Sequence, residues 1–317
     1  NVHARHEDIF GVMDVGWGCL FARNVQESLD LALISRRAAE ATLTPFFNVQ
    51  DGFLTTHTVE SVVLPELELM KSFVGDPREK LRDLFDPAKG MMVGVVQNQE
   101  SYMKGKVAQR LFYDHVRAAV LESMALFKSL TGREYNLVDS YRMEDAEYAI
   151  VGLGTSMETA KVAVDYARKV HGWKVGLVHP TCMRPFPAVE MVAALRGCKG
   201  FSVIERLDEP LAESNPLTRE IKAAFADSLQ QKAEKIPHLL MIPEIYSGVY
   251  GMGGRDFRIE DALAIFRNMV EGNREKPFFA CGVKGDWALS PEEPVRAAAK
   301  NAFAMRGHSV GGYGPVT

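Results

Sequence analysis

Between residues 148 and 206 the chain repeats a single pattern, and that pattern constrains the fold more than anything else in it. Tyr148-Ala149-Ile150-Val151 is a short apolar run closed by Gly152-Leu153-Gly154, and a helical pattern follows over 157–170. A second apolar run covers 174–179, a second helix 187–195 and a third apolar run 201–206. Short runs without polar alternation belong to strands buried on both faces. Strand and helix alternating at this spacing predict a parallel sheet with right-handed crossovers. The pattern continues with a helix over 216–229, a strand over 238–245 and a helix over 259–270.

Two glycine-rich turns interrupt this region. Gly152-Leu153-Gly154-Thr155-Ser156-Met157 follows a strand and opens a helix, as a dinucleotide fingerprint does. Met157 stands where the third glycine belongs, and no Asp or Glu ends the next strand, so a tight strand-to-helix turn is the simpler reading. A nicotinamide-dependent dehydrogenase remains a competing class, to be separated by NADH titration. The second turn spans 246–256 and lacks the Gly-Lys-Ser/Thr ending of a P-loop, which favours structural packing there.

Upstream, Gly11 to Gly18 is too rich in glycine for a helix interior and is expected as a loop. A helix is predicted over 25–41 with Asn24 as its cap, then a strand over 45–49. This is half of a βαβ unit, and its preceding strand is not evident in the sequence. The strand empties into Asp51-Gly52-Phe53-Leu54-Thr55-Thr56-His57, where an apolar run gives way to a carboxylate, two hydroxyls and an imidazole. Open α/β sheets bind ligands at that carboxyl edge. Residues 64–89 are charged and punctuated by Pro65, Pro77 and Pro87, which predicts an excursion over the surface. A strand over 91–96, a polar loop over 97–102 and a long helix over 106–130 stopped by Gly132 come next. His115 lies beside the apolar stripe of that helix and is expected to pack or face water. Near the end, 285–294 is expected as a linker and 296–305 as a helix running into a glycine-rich turn.

At 317 residues the chain has room for two domains, each with its own core. Its 37 basic and 41 acidic side chains include no cluster that would follow a phosphate backbone, so nucleic acid is not an expected partner. No apolar run reaches the roughly 20 residues of a membrane helix, and a cytoplasmic protein is expected. Cys19, Cys182, Cys198 and Cys281 are far apart with no Cys-x-x-Cys pair, so the chain alone is expected to carry no metal or cluster and to keep buried, reduced thiols.

Taken together, several stretches resemble one family. Asp51-Gly52-Phe53-Leu54-Thr55-Thr56-His57 resembles the Asp-Gly-Phe-x-Thr-Ser-His signature of the pyruvate:ferredoxin (flavodoxin) oxidoreductases, the 2-oxoacid:ferredoxin oxidoreductase family. The likeness continues, in the family's order, through Gln97-Asn98 with Tyr102 and Gly105, and through Ser129-Leu130-Thr131-Gly132-Arg133-Glu134-Tyr135. It extends to Arg184-Pro185-Phe186 and to Tyr250-Gly251-Met252-Gly253-Gly254-Arg255-Asp256-Phe257.

The resemblance implies an α/β chain of two open, mostly parallel-sheet domains. Residues 1–140 would be the later half of a pyrimidine-binding thiamine domain, 141–275 a domain similar to the transketolase C-terminal domain, and 276–317 a linker and the start of a third. It implies coenzyme A-dependent oxidative decarboxylation of a 2-oxoacid, pyruvate first and 2-oxoglutarate as the rival. In the complete enzyme it implies thiamine diphosphate with Mg, iron-sulfur clusters, coenzyme A and a ferredoxin or flavodoxin acceptor, with the other domains or subunits of a homo-oligomer as partners. The resemblance places the Glu that meets the aminopyrimidine upstream of this stretch and carries over no catalytic acid or base. That leaves His57 as a general base a hypothesis to be tested by His57→Ala in the full enzyme. The stretch's candidates for the edge of the thiamine and substrate cleft are Asp51, Gly52, Phe53, Thr55, Thr56 and His57. There Thr55, Thr56 and His57 could donate hydrogen bonds to a carboxylate or carbonyl. The threonine hydroxyls could equally cap the following segment, and His57 could support a subunit interface. A non-redox transketolase-like enzyme and a noncatalytic scaffold module remain the other classes.

Overall fold

A computed structural model describes residues 3–81, 86–90, 94, 96–231, 236–271, 276–292 and 294–295. Most of the expected strand over 91–96, all of the expected helix over 296–305 and the glycine-rich turn after it lie outside these residues.

The chain opens with a short helix, α1 (Glu7–Gly11), and a strand, β1 (Gly18–Phe21). Helix α2 (Val25–Thr42) follows, its Asn24 side chain accepting from Glu27 N, and strand β2 (Phe46–Val49) after it. β1 lies parallel beside β2, pairing Gly18 with Phe46 and Phe21 with Val49, so the preceding strand of the βαβ unit is present after all. Its four residues, one of them glycine, are too few for a periodic signal, yet every one is buried.

The surface excursion carries α3 (Leu67–Val74) and α4 (Pro77–Leu81). The long helix α5 runs over Gln99–Thr131 rather than from 106. Asn98 accepts from Ser101 N at 3.2 Å, so the polar stretch expected as a loop is the cap and exposed first turns of the helix. Gly132 closes it in the left-handed conformation at φ 74°.

After α5 come β3 (Val138–Tyr141), β4 (Tyr148–Val151) and α6 (Ser156–Tyr166), which ends in a π-turn over Ala167–His171. Then follow β5 (Val175–Pro180), β6 (Cys182–Arg184), α7 (Ala188–Leu195), β7 (Gly200–Glu205) and α8 (Pro216–Leu229). The last elements are β8 (Glu244–Val249), α9 (Ile259–Val270) and β9 (Phe278–Ala280). β8 begins later than the sequence suggested, because Pro243 has no N–H to give a ladder and pairing starts with the next residue. The segment expected as a linker packs on β9: Ala280 N donates to Trp287 O at 3.1 Å and Leu289 N to Ala280 O at 2.9 Å.

These strands form two sheets, one of three strands in the order β2-β1-β6 and one of six in the order β3-β5-β4-β7-β8-β9. In the larger sheet only β3 runs antiparallel. β6, which follows β5 in the chain, joins the smaller sheet antiparallel to β1.

The larger sheet is covered on one face by α6 and α9, through Ile150, Met157, Leu177, Ile204, Ile265 and Phe266. On its other face Ala149, Val151, Phe201 and Val203 meet Met191, Leu217 and Phe225 of α7 and α8, and Cys19 and Phe21 of β1. Leu20, between those two, points the other way into a third cluster with Leu31, Ile34, Val120 and Phe127. β1 thus seals two cores at once.

Candidate functional site

The carboxyl ends of β2, β4, β7 and β8 converge, and the side chains just beyond them build a polar junction. Asp51, two residues past β2, is 1% exposed. Its Oδ1 lies 2.7 Å from His6 Nε2. Its Oδ2 accepts from Thr155 N at 2.8 Å and from the Thr155 hydroxyl at 2.6 Å, and lies 3.7 Å from Arg206 Nη2. Burial by itself would favour the neutral acid. The hydrogen bond and charge of His6, the charge of Arg206 and the Thr155 hydroxyl outweigh it and hold the carboxyl well below the usual range.

This explains the first glycine turn. Gly154 has φ 74°, and a Cβ there would stand 2.5 Å from Asp51 Oδ2. Thr155 opens α6, so its N–H points where a helix N-terminus receives an anion. The turn that resembled a dinucleotide fingerprint holds the chain's own carboxylate.

Arg206, beyond β7, is 1% exposed and explains the second glycine turn. Its Nη1 donates to Gly251 O at 3.1 Å and its guanidinium sits 4.9 Å from the Tyr250 ring centroid. A Cβ on Gly251, at φ 63°, would fall 2.6 Å from Nη1. Tyr250 in turn lies 2.6 Å from the Ser156 hydroxyl and donates to Leu153 O at 3.2 Å. Beside this turn, Gly254, Arg255, Arg258, Asp261, Lys284 and Glu292 line a cavity of about 700 Å³ of mixed charge.

From Asp51 the loop turns outward. Leu54 N donates to Gly52 O at 2.8 Å and Thr55 N to Asp51 O at 3.0 Å, closing a tight turn with Phe53 at φ 62°. A bulky residue in the left-handed region is strained and persists where its surroundings fix it. Phe53 N donates to the Thr56 hydroxyl at 3.0 Å, which also lies 2.8 Å from His57 Nδ1. The Phe53 ring stacks on His57 at 4.3 Å and on His3 at 5.1 Å.

The six expected residues therefore divide. Asp51 and Thr55 are buried, Gly52 is half-buried, and Phe53, Thr56 and His57 are exposed, the last two bonded to each other. The buried Thr55 hydroxyl has no hydrogen-bond partner among the described residues.

Sequence reasoning did not single out His6, Thr155 or Arg206 as site residues, nor two further buried polar groups. His179, within β5, has an Nε2 with no partner among the described residues, while its Nδ1 lies 3.3 Å from the Thr181 hydroxyl. Burial lowers its pKa well below the ordinary value, and the charges of Arg23 and Lys161 lower it further, so the imidazole is neutral. Glu205, at the end of β7, accepts from Leu217 N at 2.7 Å, from Thr218 N at 3.0 Å and from the Thr218 hydroxyl at 2.8 Å. Burial nevertheless pushes its pKa up to about 7. An imidazole inside an apolar run or a carboxylate closing a strand gives no periodic signal, and Thr155 was masked by the glycines before it.

Other stretches in the resemblance serve the scaffold. Arg133 and Tyr135 both bond Asp30 Oδ2 at 2.6 Å, pinning the end of α5 to α2. Arg184 donates to Asp14 at 2.9 Å and to Glu220 at 2.6 Å, across the two sheets.

All four cysteines are free and buried, and burial pushes the Cys19 thiol up to about 12 and that of Cys198 to about 11. Among the described residues no three His, Cys, Asp or Glu side chains are grouped to hold a metal ion. Among the described residues no such group is present to hold an iron-sulfur cluster, or a Mg ion by protein ligands alone. Among the described residues no helix is long and apolar enough to cross a membrane.

Residues 1–125 match the family model for the thiamine diphosphate-binding domain of pyruvate flavodoxin/ferredoxin oxidoreductase, and 146–262 the model for pyruvate:ferredoxin oxidoreductase core domain II. Among curated proteins, the chain is 34% identical to pyruvate synthase subunit PorA of Thermotoga maritima, covering 86% of this chain and 67% of that subunit. It is 29% identical to the pyruvate-flavodoxin oxidoreductase of Klebsiella pneumoniae, over 93% of this chain and 24% of that protein. A solved 2-oxoglutarate:ferredoxin oxidoreductase from Magnetococcus marinus aligns with a TM-score of 0.47 at 14% identity, over 85% of this chain and 45% of the other. The chain spans about two thirds of the first relative and about a quarter of the second. With both family models matched in order and 34% identity to a PorA subunit over 276 aligned residues, the chain belongs to the pyruvate:ferredoxin (flavodoxin) oxidoreductase family.

Proposed function

We propose that this chain is part of a multi-domain or multi-subunit enzyme that decarboxylates pyruvate oxidatively and transfers the acyl group to coenzyme A. Electrons would leave through iron-sulfur clusters to a ferredoxin or flavodoxin, in a cytoplasmic homo-oligomer. The observation that carries this reading is the match of residues 1–125 to a thiamine diphosphate-binding domain followed, in order, by core domain II. Pyruvate takes precedence over 2-oxoglutarate because the curated relatives are named for pyruvate.

Within that enzyme the 51–57 loop lies at the edge of the thiamine and substrate cleft. The chemistry that thiamine diphosphate supplies when bound is carbanion stabilisation at the 2-oxo carbon. What this chain adds is position. Asp51 anchors the loop, and Thr55 offers a buried O–H with no partner among the described residues. Such a donor is strongest in a partly dry cleft, because it exchanges no good hydrogen bond to act. Mg and the clusters would be held by residues other than those described.

The test is an anaerobic assay of the complete enzyme with thiamine diphosphate, Mg and coenzyme A, following reduction of a low-potential dye. Reduction with pyruvate and not with 2-oxoglutarate is expected. The reverse preference would overturn the substrate, turnover without dye reduction would favour a non-redox thiamine enzyme, and no turnover by a cofactor-loaded enzyme would favour a scaffold.

A further inference from the structure

We propose that Asp51 is a positioning residue that serves as the internal ligand of an anion seat, and that its occupancy sets the place of the 51–57 loop for the reaction. The role in the reaction rests on the reading that this loop edges the cleft. The seat itself stands on geometry alone.

The seat has the parts of an anion-binding site. A main-chain N–H at the start of α6 and a hydroxyl on the same residue both donate to one carboxylate oxygen, at 2.8 and 2.6 Å. Gly154 lets that oxygen approach to where a Cβ would clash. Arg206 is 1% exposed, its Nη2 stands 3.7 Å from the same oxygen, and its Nε has no partner among the described residues. His6 covers the other oxygen. A charge-assisted set of this kind around a buried anion is stronger than any neutral pairing.

Its ligand comes from far away in the chain. Asp51 and Thr155 are 104 residues apart, so the contact fastens the carboxyl edge of the small sheet to that of the large one. Past Asp51 the loop is held mainly from within: Thr55 N bonds Asp51 O, and Phe53 N bonds the Thr56 hydroxyl. The left-handed strain at Phe53 persists because its two ends are fixed, and one of those ends is Asp51. Freed from the seat, the loop would relax, and Thr55 would leave its place.

Asp51→Ala removes the carboxylate and leaves a space of its own chemical size beside Arg206, which formate can fill. In the complete enzyme we expect this variant to raise the KM for pyruvate and to lower kcat/KM by up to about 100-fold, the scale on which a misplacement of about 1 Å acts. We also expect faster amide hydrogen exchange across 51–57. Added formate should reverse both in Asp51→Ala and do neither in the wild type. Thr155→Val, which removes one donor and keeps the N–H, should show the same changes in smaller measure and serves if the alanine form does not fold.

Unchanged exchange in both variants would overturn the seat. Faster exchange that formate does not reverse would overturn the internal-ligand account. Faster exchange with kcat and KM unchanged would overturn the positioning role. A wild-type enzyme that turns over no 2-oxoacid would instead sink the functional reading, while the exchange and formate measurements would still decide the seat.

Discussion

Glu205 and Asp51 are two buried carboxylates at neighbouring strand ends whose surroundings push them in opposite directions. For Glu205, burial dominates the N–H and hydroxyl donors at the start of α8, and its pKa rises from 4.5 to about 7. The folded state therefore holds this proton more tightly than the unfolded chain does. The stability it contributes is present in full below pH 4.5 and is lost as pH rises through 7. Glu205→Gln keeps an acceptor for Leu217 and Thr218 and removes the titration. Urea unfolding at pH 5 and pH 8 should show wild-type stability falling between the two and the variant's falling less; equal slopes would mean that burial does not govern this group. Asp51 has the opposite sign, because His6, Arg206 and Thr155 outweigh burial, so its contribution is present above the ordinary carboxylate range and is lost only in acid. None of this was legible in the sequence. Asp51 could be placed at a strand end from the apolar run before it, but its three partners come from residues 6, 155 and 206, and no local pattern joins them.

Helix α3 shows how one residue docks an element. It has eight residues, too few to be stable alone, and Phe73 is its one buried side chain. The ring meets Phe127 edge to face at 5.4 Å, and the Arg37 guanidinium lies over it while donating to the Phe73 carbonyl. Phe73→Ala should cost about 3–5 kcal/mol in global stability. If α3 instead detaches by itself, the global loss is smaller and amide exchange rises across 67–74, so the two measurements together locate the damage. An unchanged midpoint with unchanged exchange would mean that the excursion is held elsewhere. Elements of this kind mark the limits of pattern reading. The helices α2, α6, α7 and α9 announced themselves by their helical patterns, α2 also by its Asn24 cap, whereas β1 and β9 are too short to do so. β8 was misplaced because 238–242 is apolar without pairing, and only Pro243 marks where the ladder can begin.

At the scale of the whole molecule, the question is whether two sheets behave as one body. Among the links between them, β6 enters the small sheet directly after β5, Asp51 sits in its seat, and Arg23 bridges the end of β1 to the large sheet. The Arg23 side chain is nearly buried, donates to Glu27 at 3.0 Å, bonds Asp139 of β3 and lies 3.8 Å from Glu158 of α6. Those three carboxylates and the buried charge on Arg23 compensate one another, and together they hold the guanidinium charged against its burial. Arg23→Ala would leave Glu27 buried without its cation, a loss of about 3–5 kcal/mol for a broken buried pair. Because the link is lost at the junction and not inside either core, the cost should appear as lost cooperativity. Calorimetry of the wild-type chain should give one transition, and Arg23→Ala should divide it into two, the first melting the small sheet with α2 and α5. A single transition merely shifted to lower temperature would mean that β6 and Asp51 suffice to make the two sheets unfold as one.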